Sequence, residues 1–355
     1  MALAANKKGW RTIVVERDAV QSGASIRNFG FVTVTGQAQD LTWTRARRSR
    51  DIWADIAPRA GISIQHQGVV YTAEREEALS VLEEFAHGPM GGTCELLSAG
   101  RLANRMPFAG PNLRGGLWSP HELRIDAREA IPKLTRYLSE RRGVDFAFGT
   151  AATGVEPSRL QTSRGIIEAD RIVICPGTDR FSLLPHAIAS HRPRLTKLQM
   201  LRLAPQPRGW RLPGAIMGEL SLLRYLGFAD CPSLPALRAR LEAEEPLSLT
   251  HGIHIIMVQN ADGSIILGDS HQDAEGTDSF YATAIEAEIM AQAARLIRLP
   301  VRDILERWTG HYPVCDAPTV IDFPMPGVCL LMVTGGTGMS TAFALAEEAL
   351  EGFKP

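Results

Sequence analysis

The chain has 355 residues, enough to bury a large core and to form two domains, contiguous or interleaved. Its 45% apolar and 22% charged residues are ordinary for an α/β protein, and a formal net charge of −1 gives no electrostatic case for a nucleic-acid or membrane-surface partner. Five scattered cysteines (Cys94, Cys175, Cys231, Cys315 and Cys329) form no C-x-x-C pair and read as reduced thiols of a cytoplasmic protein, with Cys175 and Cys329 in its core. No apolar run approaches the ~20 residues of a membrane span, and Lys7 and Lys8 follow the first apolar patch, the reverse of a signal peptide.

In chain order, "MALAANKKGW" reads as the second half of a helix, with Met1, Leu3 and Ala4 packed on a sheet and Gly9 as the stop. "RTIVVERD" follows, a strand over Thr12 to Val15 that is buried on both faces and ends in Glu16. An acid at such a strand end is where a dinucleotide-binding unit holds a ribose hydroxyl, about 20 residues after a G-x-G-x-x-G turn. Only fifteen residues precede Glu16, and none makes that turn. The expectation is that the first strand and its glycine turn are missing, that Met1 is internal to a longer protein, and that a chain beginning at Met1 holds a dinucleotide poorly.

A Gly/Ser-rich loop, "QSGASIRNFGFVTVTG", leads to a helix over Thr42 to Ala57 stopped by Pro58. Trp43, Ala46, Trp53, Ile56 and Ala60 recur on one side of it, which leaves Arg45, Arg47, Arg48 and Arg50 to a solvated face. "ISIQHQGVVYTA" reads as paired strands, "EREEALSVLEEFAHG" as an amphipathic helix, and residues 104 to 120 as loop and short strands. Asp126 and Glu129 open a helix that ends at Gly143, and Pro132 either kinks it or marks a later start. A strand and loop, a short hairpin, and a second buried strand from Ile172 to Cys175 come next. Residues 195 to 310 are β-rich, and Asp262-Gly263 turns a hairpin between two apolar runs. The last stretch, "GVCLLMVTGGTGMSTAFALAEEALEGF", is strand, glycine turn and helix.

This alternation favours one α/β, Rossmann-like domain over residues 1–62, 124–194 and 311–355, lacking its first strand, interleaved with a β-rich α+β substrate domain over 63–123 and 195–310. Gly335, Gly336 and Gly338 let backbone N–H groups approach a ligand at a helix N-terminus, where the negative charge of a reduced flavin is stabilised. Asp269, Ser270 and His271 end a strand and read as polar residues facing solvent, since neighbours along a strand diverge and cannot form a hydrolase triad. His251 and His254, three apart in a strand, face opposite sides, so no metal site is expected.

"VVERD", "GASIRNFGFV", "IVICPG" and "VTGGTGMSTAFALAEE", in that order, resemble the D-amino-acid oxidase superfamily of FAD enzymes, with its glycine and sarcosine oxidases. "RNFGFVTVTGQ", "LRYLGF", "ADGSIILGDSH" and "TGGTGMS" are similar to a branch associated with aminophosphonate breakdown. The resemblance implies FAD and a small amine substrate that loses hydride from its α-carbon, giving an aldehyde, ammonia or an amine, and peroxide. It implies 2-aminoethylphosphonate or its N-methyl derivative as substrate. A glycine- or sarcosine-type oxidase is the alternative, and a flavin-free protein without activity a third.

Carried over by position, Glu16 would hold the adenosine ribose, with Arg17 beside it in the cofactor set. Ser25, Arg27 and Asn28 would lie along the pyrophosphate and flavin, Val155 near the adenine, and Gly177 where the chain passes the cofactor. Gly336, Gly338 and Met339 would face the flavin pyrimidine edge. Where the superfamily's amino-acid oxidases often place an arginine before a late proline, this chain has Tyr312, a departure that favours an anion other than carboxylate. Arg224, Tyr225, His271 and His311 are the candidates for holding a phosphonate together with Tyr312, and His271 is the catalytic candidate.

Overall fold

The computed structural model describes residues 1–274, 276 and 278–353. Its largest sheet has ten strands among the described residues and draws on most of the chain. The order runs Gln272–Ala274, Arg194–Leu203, Ile265–Gly268, Ile256–Gln259, Ala215–Met217, Ile64–Ala73, Gly115–Ile125 and Phe31–Val32. Ile304–Val314 also pairs with Arg194–Leu203, and Glu95–Ser98 with Gly115–Ile125.

Side chains alternate across this sheet with period two. Tyr71, Met200, Met217, Ile256, Val258 and Ile266 face one core, packed by the helices Glu76–His87 and Leu234–Glu244. Val70, Leu201, Ile216, Met257 and Leu267 face a second core under the helix Thr283–Leu296. Both faces are covered, which is why "HIIMVQ" and "SIILG" are continuously apolar. The expected hairpin is present, with Met257 opposite Leu267 and Val258 opposite Ile266, and Gly263 turns it at a φ of +89°.

Smaller sheets complete the α/β part. Ile13–Val15 pairs in parallel with Asp145–Ala147, and Ile172–Ile174 in parallel with Val328–Val333, which Thr319–Met325 flanks. Among the described residues, Ile13–Val15 and Ile172–Ile174 each have a ladder on one side only. The first strand is therefore not buried on both faces: Ile13 is 42% exposed, and Val14 and Val15 are half-buried. Cys329 is buried as expected, whereas Cys175 is exposed because its strand stops at Ile174 and the turn begins there. All five thiols are free. No helix among the described residues is long and apolar enough to cross a membrane.

Asp126 caps the helix Ala127–Arg142 by accepting from the Arg128 N–H at 3.0 Å, so Pro132 lies inside it. The carbonyl that Pro132 leaves without a helical donor belongs to Arg128, an exposed residue. The helix Leu41–Arg59 includes Pro58 and ends two residues later than expected.

Its arginines are a solvated face only in part: Arg47 and Arg48 are exposed, whereas Arg45 is not. Arg45, only 11% exposed, grips Glu348 through Nε at 2.9 Å and Nη2 at 2.6 Å and also reaches Thr319 Oγ1 at 2.9 Å. Arg48 pairs with Glu347 at 2.8 Å. The acids lie on the C-terminal helix Gly338–Glu351, some three hundred positions away in sequence, so helical periodicity could not reveal them. Glu348→Ala would leave the Arg45 charge without its bidentate partner. We expect a loss of about 1–2 kcal/mol, read from the midpoint of a urea melt, with Glu347→Ala costing less because Arg48 is solvated.

Candidate active site

The strand Val328–Val333 is buried on both faces and delivers the chain to the turn Thr334 to Thr337, from which the helix Gly338–Glu351 starts. Gly336 takes a φ of +73°, and a Cβ there would meet the Tyr312 ring at 3.0–3.2 Å. Only glycine fits both demands. The helix N-terminus has no side-chain cap, and Thr337 Oγ1 is buried without a hydrogen-bond partner. Other bonds fix the turn from the side. Trp53 Nε1 donates to the Met339 carbonyl at 3.0 Å, and the Thr33 N–H donates to Ser340 Oγ at 2.8 Å. Met339 and Phe343 pack into the core beneath Trp53.

Tyr312 links this turn to the large sheet. It is buried, and its hydroxyl accepts a 3.1 Å hydrogen bond from Arg224 Nη2. Arg224 ends the short helix Leu220–Arg224 and is itself exposed, so its guanidinium forms one wall of the site. Tyr225 is the next residue, and its ring meets that of His254 edge-on at 5.9 Å. The His271 ring lies 6.4 Å from Tyr312 and 5.0 Å from His254. Arg224, Tyr225, His271 and Tyr312 thus come together as the sequence predicts.

His311 does not join them. It neighbours Tyr312 on one strand and so faces the other way, opposite Lys197, whose ammonium is held by Asp278 and the Phe280 carbonyl. His311 Nε2 is buried without a partner among the described residues.

The strand end at Asp269 departs from expectation. Asp269 and Ser270 are buried, and the His271 side chain is 8% exposed, so none of the three faces solvent. Asp269 and His254 exchange backbone hydrogen bonds of 3.0 and 3.2 Å, which extends the hairpin beyond Ile256 and Gly268. His251 and His254 are not in a strand; His251 caps the short helix Pro246–Thr250. His254 Nε2 lies 3.5 Å from Asp269 Oδ1, and His271 Nε2 lies 3.6 Å from Asp269 Oδ2. A D-x-H pair at a strand end shares one face, and that was the signal in the sequence that could have found two of the three. The third comes from the partner strand's extension.

Burial sets the charges here. It pushes the Asp269 carboxyl up to about 7, with nearby Arg224 opposing, and holds the His254 and His271 imidazoles well below their ordinary range. The Tyr312 hydroxyl is pushed up to about 12 by the same loss of water. Arg224 is therefore the cation of a group whose tyrosines and imidazoles are neutral.

The remaining sequence candidates line the loops at the strand ends. Glu16 Oε1 accepts from the Asp18 N–H at 2.9 Å, and Arg17 pairs with Asp179 at 3.0 Å, tying the first loop to the turn at Gly177, where φ is +60°. Val155 is half-buried in the three-stranded meander, against the same cluster as Val15. Ser25 and Arg27 are exposed, and the Arg27 carbonyl lies 3.0 Å from where a Cβ on Gly310 would stand. Asn28 shapes its own loop, donating to the Ala24 carbonyl at 2.7 Å and accepting from the Gly30 N–H at 2.6 Å.

An acid at the end of one parallel strand, a positive-φ glycine after another and an uncapped helix N-terminus after a third together make the strand-end geometry of a dinucleotide site. Residues 1–351 match the family described as FAD dependent oxidoreductase. This chain belongs to that family, whose cofactor is FAD. It is 23% identical over 249 residues to the bifunctional protein ThiO/ThiG of Trichormus variabilis, a match covering 69% of this chain and 32% of that protein. It is 28% identical over 143 residues to D-amino acid dehydrogenase 2 of Mesorhizobium japonicum, covering 37% and 34%. The matches span about a third of the length of these curated relatives. The structure superposes on glycine oxidase from Bacillus cereus with a TM-score of 0.77 at 15% identity, covering 100% of this chain and 94% of that one. At such low identity the likeness is one of fold.

The site fits the family's cofactor. Thr337 Oγ1 has no partner among the described residues, and a Cβ on Gly335 or Gly338 would meet nothing within 4 Å, so the turn is open to a ligand. Gly336→Val would force a β-branched side chain into positive φ and against the Tyr312 ring. We expect a stability loss of about 2–3 kcal/mol in a thermal melt and at least tenfold weaker FAD binding in a fluorescence titration.

Proposed function

We propose that the chain is a cytoplasmic amine oxidoreductase that uses FAD to remove hydride from the α-carbon of a small amine bearing an anionic group. The pairing of Arg224 with Tyr312 on the glycine turn carries this reading. It places one exposed guanidinium beside the strand-end site, with no carboxylate hydrogen-bonded to it among the described residues. When bound, FAD supplies the two-electron acceptor for a hydride leaving the carbon next to nitrogen. Glu16 and Arg17 would hold its adenosine end, with Val155 near the adenine. Gly177, Ser25, Arg27 and Asn28 would line the pyrophosphate and ring, and Gly336, Gly338 and Met339 the pyrimidine edge. Residues 1–62, 124–194 and 311–355 would form this half, and 63–123 with 195–310 the substrate half. The single-sided ladders of Ile13–Val15 and Ile172–Ile174 suit a further strand running between them, whose following turn would complete the pyrophosphate cradle.

For the anion we favour phosphonate, and so 2-aminoethylphosphonate or its N-methyl derivative. Three oxygens of a tetrahedral group can take the Arg224 fork and the Tyr312 hydroxyl together, whereas Tyr312 stands where a second guanidinium would clamp a carboxylate. Arg224, Tyr225, His271 and Tyr312 would surround the substrate and exclude water, which keeps the amine neutral for hydride loss. The glycine oxidase fold keeps a second reading open, with glycine or sarcosine as substrate.

Anaerobic bleaching of the bound flavin near 450 nm separates the readings. Reduction by N-methyl-aminoethylphosphonate or its parent, and not by sarcosine or glycine, is the expected result; the reverse order assigns a carboxylate substrate, and no bleaching by any of the four refutes amine oxidation. Arg224→Gln should weaken apparent substrate binding about 10- to 100-fold by loss of a charge-assisted contact. Tyr312→Phe, which deletes one hydroxyl and keeps the packing on Gly336, should cost about fivefold in the same titration.

A further inference from the structure

We propose that His254, Asp269 and His271 form a binding site for a divalent transition-metal ion of the Zn²⁺ type. Three observations converge on it. First, the two imidazoles are oriented by bonds on their far nitrogens. His271 Nδ1 lies 3.0 Å from the Gly252 carbonyl, which can only accept, so Nδ1 carries the proton and Nε2 the lone pair. His254 Nδ1 lies 3.2 Å from Ser221 Oγ; when that hydroxyl donates onward to the Ile255 carbonyl at 3.5 Å, Nδ1 carries the proton and the lone pair of His254 is on Nε2 as well. Outer partners of this kind, a carbonyl and a hydroxyl, are those that orient metal-bound histidines.

Second, both lone pairs point at one buried carboxylate. The contacts of 3.5 and 3.6 Å are too long for hydrogen bonds, and Asp269 Oδ1 is buried without any partner. Two lone pairs facing this carboxyl repel it when it is ionised, and a cation among the three groups relieves that repulsion. Third, the spacing suits an ion. Metal–ligand bonds of about 2.0–2.1 Å at a tetrahedral angle separate ligand atoms by about 3.3 Å, close to the two contacts, and all three ligand atoms lie within 4.8 Å of one another.

Two imidazoles and a carboxylate select a borderline transition metal over Mg²⁺ or Ca²⁺, which prefer all-oxygen shells. Three protein ligands leave at least one position open for water or an anionic group. Arg224, Tyr225, Tyr312 and Ser221 also face the cluster, and Arg224 is the one cation among these groups, turned to the Tyr312 hydroxyl. The site holds whichever amine is the substrate.

Equilibrium dialysis of the chelator-treated protein against Zn²⁺, with metal counted by mass spectrometry, should give one bound ion per chain. Asp269→Asn and His254→Gln should each lose it, Ser221→Ala should weaken it about tenfold, and His251→Ala should leave it unchanged. Absence of a bound equivalent, or one that survives both Asp269→Asn and His254→Gln, overturns the proposal. Should the variants fail to fold, the native chain decides. Zn²⁺ should raise its melting midpoint where Mg²⁺ does not, and an equal response to both ions, or none to either, refutes the site.

Discussion

The contact on which the site depends is a tyrosine lying on a glycine. Tyr312 belongs to the long strand Ile304–Val314 of the large sheet, and Gly336 to the turn before the C-terminal helix. A Cβ at Gly336 would stand 3.0 Å from the ring, so the two parts approach this closely only because position 336 carries no side chain. Everything proposed for catalysis follows from that approach. In the proposed site the helix N-terminus would meet the flavin edge, while the Tyr312 hydroxyl holds Arg224 and His271 sits beside the tyrosine ring.

The turn can hold this position because the helix it starts is fixed along its length. Trp53 fastens its first residues through the Met339 carbonyl, Ser49 Oγ accepts from the Ala344 N–H at 3.0 Å, and Arg45 and Arg48 grip Glu348 and Glu347 near the end. The helix Leu41–Arg59 therefore braces the cofactor turn rather than coating the surface. A cluster of arginines on a helix is ordinarily solvated, and the exception here arises because two acids arrive from the far end of the chain.

Local order was legible wherever neighbours along the chain decide it. The Asp126 cap and Gly143 stop, the Asp262-Gly263 hairpin and the strand–turn–helix at the C-terminus depend on residues a few positions apart, and each stands as read. Of the site candidates, Arg224, Tyr225, His271 and Tyr312 lie together, whereas His311 faces away. The errors share one cause. Asp269 and Ser270 look like a solvated strand end until the neighbouring hairpin strand brings His254 against them, and Ile13 looks buried until its ladder proves one-sided.

The sequence by itself determined the elements, the apolar runs of a sheet covered on both faces, and membership in a family with glycine turns at strand ends. Propensity, periodicity and backbone freedom act over a few residues, so one strand of text records them. Only the tertiary structure decided which way His311 and Tyr312 point relative to the site, which arginines are spent on the C-terminal helix, and that two histidines from different segments share one buried carboxylate. Those outcomes depend on contacts between residues tens to hundreds of positions apart, where register and packing, rather than composition, choose the partner.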